Sequence, residues 1–185
     1  MNEDLSRSRA RAFAIIKQRS FRRGRVKLAS GKESDYYLDL KPTMFDPEGA
    51  GLLARLVMQR LQGVDADLIG GLEMGAVPLV ATVVMWSREA GRPLPGFFVR
   101  KTVKDHGTRK LVEANEVAGK KVVILEDVTT TGESAMAAVR AAQQAGATVT
   151  LVLSIVDRQE GAAEFFQRQG VSFAHLFAAD EFLKA

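Results

Sequence analysis

The chain has no cysteine and only two histidines, His106 and His175, among its 185 residues. Disulfide scaffolds, thiolate metal sites and cysteine nucleophiles are therefore excluded, and a site built from several histidines is not expected. Long apolar runs are also missing. The longest, residues 76–86, has 11 residues, whereas a helix that crosses a bilayer needs roughly 20. The apolar patch at residues 12–16 lies among arginines without a cleavable apolar region behind it, so we expect a cytoplasmic protein without a membrane partner.

Charge is unevenly distributed along the chain. The net charge is +4 and the sequence pI is about 9.5, yet residues 1–30 alone carry nine basic and two acidic side chains, a local +7. Residues 31–185 carry seventeen basic and twenty acidic side chains, and within them residues 100–110 hold five basic residues against one acid. Two basic islands on a mildly acidic body predict an anionic partner, either nucleic acid or a phosphorylated small molecule. Composition leaves both partners open.

Short apolar strands alternate with helices along most of the chain, and hydrophobic residues make up 46% of it, enough for a folded core. Helices are predicted at residues 4–19, from 46–47 to about 61, and at 75–90, 133–145 and 161–169. Strands are predicted at residues 67–71, 97–99, 122–125, 148–156 and 171–177, with two extended pieces between 26 and 40. Apolar strands that alternate with helices indicate a parallel sheet covered on both sides. Without a linker or repeat, we expect one α/β domain over residues 1–185.

The end of the strand at residues 122–125 carries the most informative pattern. Glu126 and Asp127 follow the apolar strand, and a hydroxyl-rich loop with Gly132 then leads into a helix. Backbone amides at a helix N-terminus suit a phosphate group, and a glycine lets the backbone come close to it. Because acids repel a phosphate, the two acids should face sugar hydroxyls or a cation. The competing interpretation is an ordinary strand–helix junction in which Thr130 and Glu133 form a capping box.

Two further strand ends carry charged residues. After the strand at residues 97–99, the segment 100–110 is basic and lacks helical or strand periodicity. It could close over a polyanion and exclude water, although a solvated basic loop is the usual fate of such a run. Asp157 and Arg158 end the strand at residues 148–156. A local ion pair is the ordinary interpretation, but an arginine can also bind a carboxylate through two parallel N–H groups.

These patterns resemble those of a known family. Residues 122–134 are similar to the ribose-phosphate signature of the type I phosphoribosyltransferases, and residues 100–107 match the Arg-Lys-x-x-Lys-x-His-Gly loop of the orotate phosphoribosyltransferases. The resemblance covers roughly residues 20–180. It implies a Rossmann-like parallel sheet flanked by helices. Residues 1–40 are expected to form an N-terminal helix and a small hood segment. It also implies transfer of a 5-phosphoribosyl group from 5-phosphoribosyl 1-pyrophosphate (PRPP) to orotate, giving orotidine 5′-phosphate and pyrophosphate in UMP biosynthesis.

The resemblance also assigns roles to individual residues. The residues implied to bind PRPP are Arg100, Lys101, Lys104, His106, Glu126, Asp127, Val128, Thr129, Thr130, Thr131, Gly132, Glu133 and Ser134. Among these, the residues implied to act in catalysis are Lys101, Lys104, His106, Glu126 and Asp127. Thr130 and Arg158 are implied to contact orotate. A magnesium ion is expected near the two acids, without assigned ligands, and a homodimer is expected in which the basic loop reaches the neighbouring active site.

Two positions depart from the family pattern. Ala29 precedes the Ser30–Gly31 turn, and Met74 lies in the loop after Gly70 and Gly71, where family members often have lysine. These departures keep open an inactive paralogue. The sequence is also compatible with a purine phosphoribosyltransferase and with a PRPP-sensing regulator that binds nucleic acid through residues 1–30. The complete basic loop and Arg158 favour the orotate enzyme, with PRPP and orotate as its partners and no nucleic acid expected.

Overall fold

The computed structural model describes residues 3–27, 33–102 and 110–185. The predictions that concern Ala29, the Ser30–Gly31 turn, Lys104 and His106 lie outside these residues. The helices and strands follow one another as α1 (Glu3–Arg19), β1 (Phe21–Lys27), β2 (Glu33–Leu38), α2 (Lys41–Met44), α3 (Pro47–Arg60), β3 (Leu68–Gly70), α4 (Ala76–Glu89), β4 (Phe98–Val99), β5 (Val112–Glu113), β6 (Lys121–Thr129), α5 (Glu133–Gln144), β7 (Thr148–Asp157), α6 (Ala162–Arg168), β8 (Phe173–Ala178) and α7 (Ala179–Lys184).

The central sheet is parallel, as predicted. Its four strands lie in the order β3-β6-β7-β8. The segment that contains β4 runs parallel to β3 at the sheet edge, through the bridges Ile69–Gly96 and Leu72–Val99, while β4 itself pairs antiparallel with β5. Because these strands are parallel, the loops after β3, β4, β6 and β7 all emerge at the same edge of the sheet.

Helices cover both faces of the sheet, and the side chains of β6 alternate between them. Val123 and Leu125 join the core formed with α3 and α4, whereas Val122 and Ile124 join the core formed with α5 and α6. Successive side chains of a strand point to opposite faces, so a strand buried on both faces must be apolar at every position. That is why residues 122–125 form an uninterrupted apolar run.

An antiparallel hairpin and α1 complete the fold on one side. Strand β1 pairs with β2 so that Phe21 lies opposite Leu38, and the Phe21 ring packs 5.6 Å from the Tyr36 ring. The Phe13 ring of α1 stacks on the Phe182 ring of α7, with the ring centroids 4.5 Å apart. The Phe21 ring also lies 5.8 Å from the Phe182 ring, so these aromatic contacts join the hairpin, which forms the hood, to α7 and through it to α1.

The structure differs from the predicted elements at β1, β6, β5, α2 and α7. The first hood strand begins at Phe21 rather than near Val26, because Phe21 packs into the core. Strand β6 continues past the apolar run to Thr129, because its backbone pairing with β7 continues as well. Strand β5 lies in the segment predicted to be aperiodic, and α2 and α7 were not predicted. These elements have 2, 4 and 6 residues, too few for a periodic pattern.

Most arginines of α1 form ion pairs within the chain. The described pairs of this helix with itself, with the residues at the start of α3 and with α7 are Arg7–Glu3, Arg9–Glu181, Arg11–Glu48 and Arg19–Asp46. Asp4 also pairs with Arg55 of α3. Acids elsewhere in the sequence therefore pair with three of the nine basic residues of the N-terminal island, namely Arg9, Arg11 and Arg19. Among the described residues, no helix is both long enough and apolar enough to cross a membrane.

Candidate active site

The hydroxyl-rich loop after β6 leads into the N-terminus of α5, and the two together have the features of an anion-binding site. Gly132, the N-cap of α5, has φ +92°, a left-handed conformation that favours glycine. Because the N-cap is Gly132 and not Thr130, and Glu133 is the first residue of the helix and not the third, the interpretation in which Thr130 and Glu133 form a capping box is wrong. The N-terminal amides of α5 instead face a small pocket of about 130 Å³, which is lined by Glu126 and residues 128–135. Amides and hydroxyls around a pocket of this kind suit a phosphate group.

Glu126 and Asp127 lie next to this pocket, inside β6 rather than after it. Glu126 is only 6% exposed, and its Oε2 has no hydrogen-bond partner among the described residues. Burial raises the pKa of Glu126 well above its ordinary value, and the neighbouring Asp127 carboxylate raises it further. A buried carboxylate oxygen without a partner is costly, so this atom is available for a hydroxyl or a cation.

The loop after β3 supports Asp127 through its backbone. A Cβ atom added to Gly75 would come within 2.8 Å of Asp127 Oδ1, and one added to Gly71 would come within 2.4 Å of the Leu125 carbonyl oxygen. The two glycines therefore allow the loop to pack directly on the end of β6. Met74 is 64% exposed and supplies no charge, so the polar groups that this loop offers near Asp127 are chiefly backbone atoms.

Lys101 follows β4, the second strand end that the sequence predicted to contribute to the site. Its positive charge opposes the rise in the pKa of Glu126. The backbone amide of Lys101 donates a hydrogen bond to Glu73 Oε1 at 2.9 Å, and that of Arg100 donates to the Leu111 carbonyl at 2.9 Å. These bonds hold the start of the basic segment against the loop after β3. Lys104 and His106 lie outside the described residues.

Arg158 lies at the end of β7, where its backbone amide donates to the Thr129 carbonyl at 2.9 Å. The ion pair predicted between Arg158 and Asp157 is not the one observed. Arg158 Nε donates instead to Glu160 Oε1 at 2.8 Å, while Asp157 Oδ1 accepts from the amide of Gln159. The turn directs the side chains of residues 157 and 158 to different neighbours, so adjacent positions do not pair.

Ser34 of the hood strand β2 belongs to a segment that resembles the family's hood near the base site, whereas Asp39 and Lys41, which follow that strand, were not singled out from the sequence. Ser34 Oγ accepts a hydrogen bond from Arg158 Nη2 at 2.9 Å, and Lys41 Nζ donates to Asp39 Oδ1 at 2.9 Å. The pKa of Lys41 is raised chiefly by that hydrogen bond and in smaller part by the Asp127 carboxylate. No spacing rule relates residues 39 and 41 to residue 127, so only the tertiary structure reveals this proximity.

Two larger cavities lie away from the predicted site. One, of about 630 Å³, lies between residues 110–118 and the end of α5. The other, of about 750 Å³, lies between the ends of α3 and α4. Neither is lined by a residue that the sequence predicted to bind substrate. The described residues also contain no group of three or more histidine, aspartate or glutamate side chains that could hold a metal ion. We therefore place the candidate site at the carboxyl edge of the sheet, although its pocket is smaller.

Comparisons with known proteins show which family this chain is similar to. A curated orotate phosphoribosyltransferase from Bradyrhizobium diazoefficiens is 54% identical over 184 residues, which cover 97% of this chain and 98% of that protein. The crystal structure of Mycobacterium tuberculosis orotate phosphoribosyltransferase with Fe(III) dicitrate has a TM-score of 0.84 and 36% identity, covering 95% of this chain and 98% of that one. A structure of the same protein in complex with PRPP has a TM-score of 0.80 and 32% identity over the same shares. No protein-family model matches the chain.

The parallel sheet and its structural neighbours are those of the type I phosphoribosyltransferases. Within that class, the chain shares more than half of its residues with curated orotate phosphoribosyltransferases along nearly its whole length. The chain therefore belongs to the orotate phosphoribosyltransferases. These enzymes transfer a 5-phosphoribosyl group from PRPP to orotate and release pyrophosphate, a step of pyrimidine biosynthesis. The resemblance predicted from residues 100–107 and 122–134 is thereby confirmed.

Proposed function

We propose that the carboxyl edge of the sheet carries out this transfer in the present chain, which acts as a single phosphoribosyltransferase domain. The observation that carries the proposal is the pocket that brings together the loop before α5 and the buried Glu126, whose Oε2 has no partner among the described residues. Lys101 begins the neighbouring basic segment, and its positive charge lowers the pKa of Glu126. Together they match the three chemical parts of PRPP, which are a phosphate, a ribose and a pyrophosphate.

The loop at residues 128–134 binds the 5-phosphate of PRPP in this proposal. The N-terminal amides of α5 and the hydroxyls of Thr129, Thr130, Thr131 and Ser134 donate to the phosphate oxygens, and Gly132 permits the close approach. Thr129 Oγ1 is buried and has no hydrogen-bond partner among the described residues, so a ligand oxygen would satisfy it. Glu126 and Asp127 accept hydrogen bonds from the ribose hydroxyls, because carboxylates would repel a phosphate placed in the same position.

The reaction exchanges one bond at the anomeric carbon of the ribose for another. The bond from that carbon to the pyrophosphate oxygen breaks, and its electron pair leaves with pyrophosphate. A ring nitrogen of orotate supplies the electron pair for the new bond and gives up its proton to the departing pyrophosphate or to water. Positive charge develops on the ribose near Glu126 and Asp127, and negative charge develops on pyrophosphate near Arg100 and Lys101. Fixed charges that oppose developing ones stabilise the transition state. Lys104 and His106 complete the cationic set.

The acid pair fits a magnesium ion that arrives with PRPP. Mg²⁺ is usually held by one or two carboxylates together with substrate phosphates, so a group of three protein ligands is not required. Glu126 Oε2 is buried without a partner among the described residues, and Asp127 lies beside it. When bound, the ion would supply positive charge that offsets the charge of the pyrophosphate group.

We also propose that the enzyme is a cytoplasmic homodimer that shares its active sites and binds no nucleic acid. Exposed apolar side chains support a partner surface, since Phe45 is 72% exposed and Met85 is 57% exposed. The ion pairs of α1 count against a nucleic-acid site on that helix, because they leave few of its cations without a described ion pair. The chain has no cysteine and so needs no disulfide bond, which is compatible with the reducing conditions of the cytoplasm.

A base-specificity assay tests the reaction. Loss of orotate is measured with PRPP and Mg²⁺, beside parallel reactions with hypoxanthine, guanine, adenine and uracil. We expect turnover of orotate alone, its disappearance when PRPP is omitted or Mg²⁺ is chelated, and its return when Mg²⁺ is added back. Turnover of a purine without turnover of orotate would overturn the assignment.

A mixing experiment tests the shared site. Lys104→Ala and Arg158→Ala chains are co-expressed and compared with each variant alone. If the basic loop of one subunit serves the other subunit's site, half of the dimers are mixed and each has one intact site, so activity returns to about a quarter of the wild-type value. If each chain completes its own site, co-expression restores nothing.

A further inference from the structure

The side chain of Arg158 is held by three groups from two distant parts of the chain. The side chain is only 3% exposed. Its Nε donates to Glu160 Oε1 at 2.8 Å, and its Nη2 donates to Ser34 Oγ at 2.9 Å. Its Cζ also lies 4.2 Å from the centroid of the Tyr36 ring. Ser34 and Tyr36 belong to the hood strand β2, and Ser34 is 124 residues away from Arg158 in the sequence.

These contacts leave one edge of the guanidinium group available. A guanidinium carries five N–H groups in a planar fork. Glu160 occupies the N–H of Nε, and Ser34 occupies one N–H of Nη2. The Tyr36 ring lies against one face of the guanidinium plane. This contact is favourable because cations are attracted to the face of an aromatic ring. No described hydrogen bond uses Nη1, and Nη2 keeps a second N–H. We call these N–H groups the outer edge; a pair of N–H groups on neighbouring nitrogens can bind both oxygens of a carboxylate.

We propose that Glu160 is a positioning residue for orotate, and that with Ser34 and Tyr36 it fixes the guanidinium so that this outer edge receives the orotate carboxylate. The inference rests on the proposed role of Arg158 in orotate binding. A long arginine side chain loses rotamer freedom when a ligand orders it, and the three contacts remove that freedom before orotate arrives. They also tie the hood to the end of β7, so that the base site is built from both.

The charge of Glu160 has a second effect on the same group. A buried arginine without a partner is strongly unfavourable, and Glu160 neutralises it while no orotate is bound. A glutamine at this position would keep an oxygen that accepts from Nε but would carry no charge. An alanine would remove both the acceptor and the charge. The two substitutions therefore separate positioning from neutralisation.

The test compares Glu160→Ala, Glu160→Gln and Arg158→Ala, with Glu164→Ala as the matched control. Glu164 is an exposed acid in the first turn of α6 without a described ion-pair partner. We expect Glu160→Ala to raise the KM for orotate about tenfold while kcat and the KM for PRPP stay within about twofold. Glu160→Gln should restore most of that loss, because it keeps the acceptor. Equilibrium titration with orotidine 5′-phosphate should give the same order of affinities.

Each other outcome decides against the proposal in a distinct way. If Arg158→Ala raises the KM for orotate but Glu160→Ala does not, the positioning role fails and the role of Arg158 stands. If Arg158→Ala leaves that KM unchanged, the proposed role of Arg158 fails and the inference falls with it. Equal losses in orotate affinity, PRPP affinity and thermal stability would show general structural damage and also overturn it. Ser34→Ala provides the same comparison from the hood side, should Glu160→Ala not fold.

Discussion

Asp127 lies directly against the backbone of Gly75, so that a Cβ atom at position 75 would come within 2.8 Å of Asp127 Oδ1. Gly75 precedes α4 with helical backbone angles, φ −55° and ψ −47°. Alanine could therefore adopt this conformation without backbone strain. The glycine is required by the neighbouring carboxylate rather than by the turn, and this contact connects the loop after β3 to the acid pair of β6.

Gly75→Ala should lower kcat/KM for PRPP by at least about tenfold, because the added methyl group displaces the Asp127 carboxylate from its position. The measurement is steady-state kinetics with PRPP varied. Gly51→Ala is the control: Gly51 lies within α3, and no atom lies within 4 Å of its added Cβ. That variant should keep full activity and gain about 0.5–1 kcal/mol of stability. Equal activity of the two variants would contradict the role given to the contact.

Gly132→Ala should destabilise the protein and weaken PRPP binding. Its φ of +92° is unfavourable for alanine, and the added Cβ would lie 2.9 Å from atoms of Phe165 and Phe166. Gly161→Ala separates the two effects, because Gly161 has φ +101° and open space around it. We expect a loss of about 1–2 kcal/mol for Gly161→Ala and about 2–4 kcal/mol for Gly132→Ala, measured by urea unfolding. Only Gly132→Ala should raise the KM for PRPP.

Glu126→Gln should stabilise the ligand-free protein at neutral and alkaline pH. Burial raises the pKa of Glu126 in the folded state above its value in the unfolded chain. The protonated carboxyl therefore contributes stability that is fully present below the unfolded pKa, about 4.3, and is lost as pH rises towards the folded pKa. Glutamine resembles the protonated form at every pH.

The Tm of Glu126→Gln should accordingly match that of the wild type near pH 4 and exceed it increasingly as pH rises. Thermal melts without ligand between pH 4 and 9 measure this difference. Activity should fall on the order of 10²-fold, since the charge that faces the ribose is lost. A Tm difference that shrinks as pH rises would show that Glu126 is ionised in the folded protein and would contradict the expected direction.

Lys101→Ala should lower kcat by about 100-fold or more and leave the fold intact, because its exposed ammonium group begins the basic segment and its charge would oppose the charge that develops on pyrophosphate. Lys110→Ala is a suitable control, since Lys110 is exposed and lies in the same basic segment. Its activity should stay within about twofold of the wild type. Circular dichroism and Tm establish that both variants fold. Near-normal turnover of Lys101→Ala would refute its catalytic role.

The amino-acid sequence was sufficient to predict the central sheet and the edge at which the site lies. Residues 122–125 are apolar at every position because both faces of β6 are buried, and the helix signals at Asp46 and Pro47 depend only on adjacent residues. Asp46 does cap α3, through a hydrogen bond from the amide of Gly49 at 2.8 Å. The shortest elements, β5, α2 and α7, could not be predicted, because their backbone conformation follows from packing rather than periodicity.

The sequence by itself determined the family and the chemical types at the site, because the acids, hydroxyls and cations follow strand ends in a characteristic order. Only the tertiary structure decided which of these groups interact. The pairing of Arg158 with Ser34 and Glu160, and the contact of Asp127 with Gly75, depend on elements that folding brings together from far apart in the chain. The pKa of Glu126 likewise depends on burial, which is a property of the packed sheet and not of the residue type.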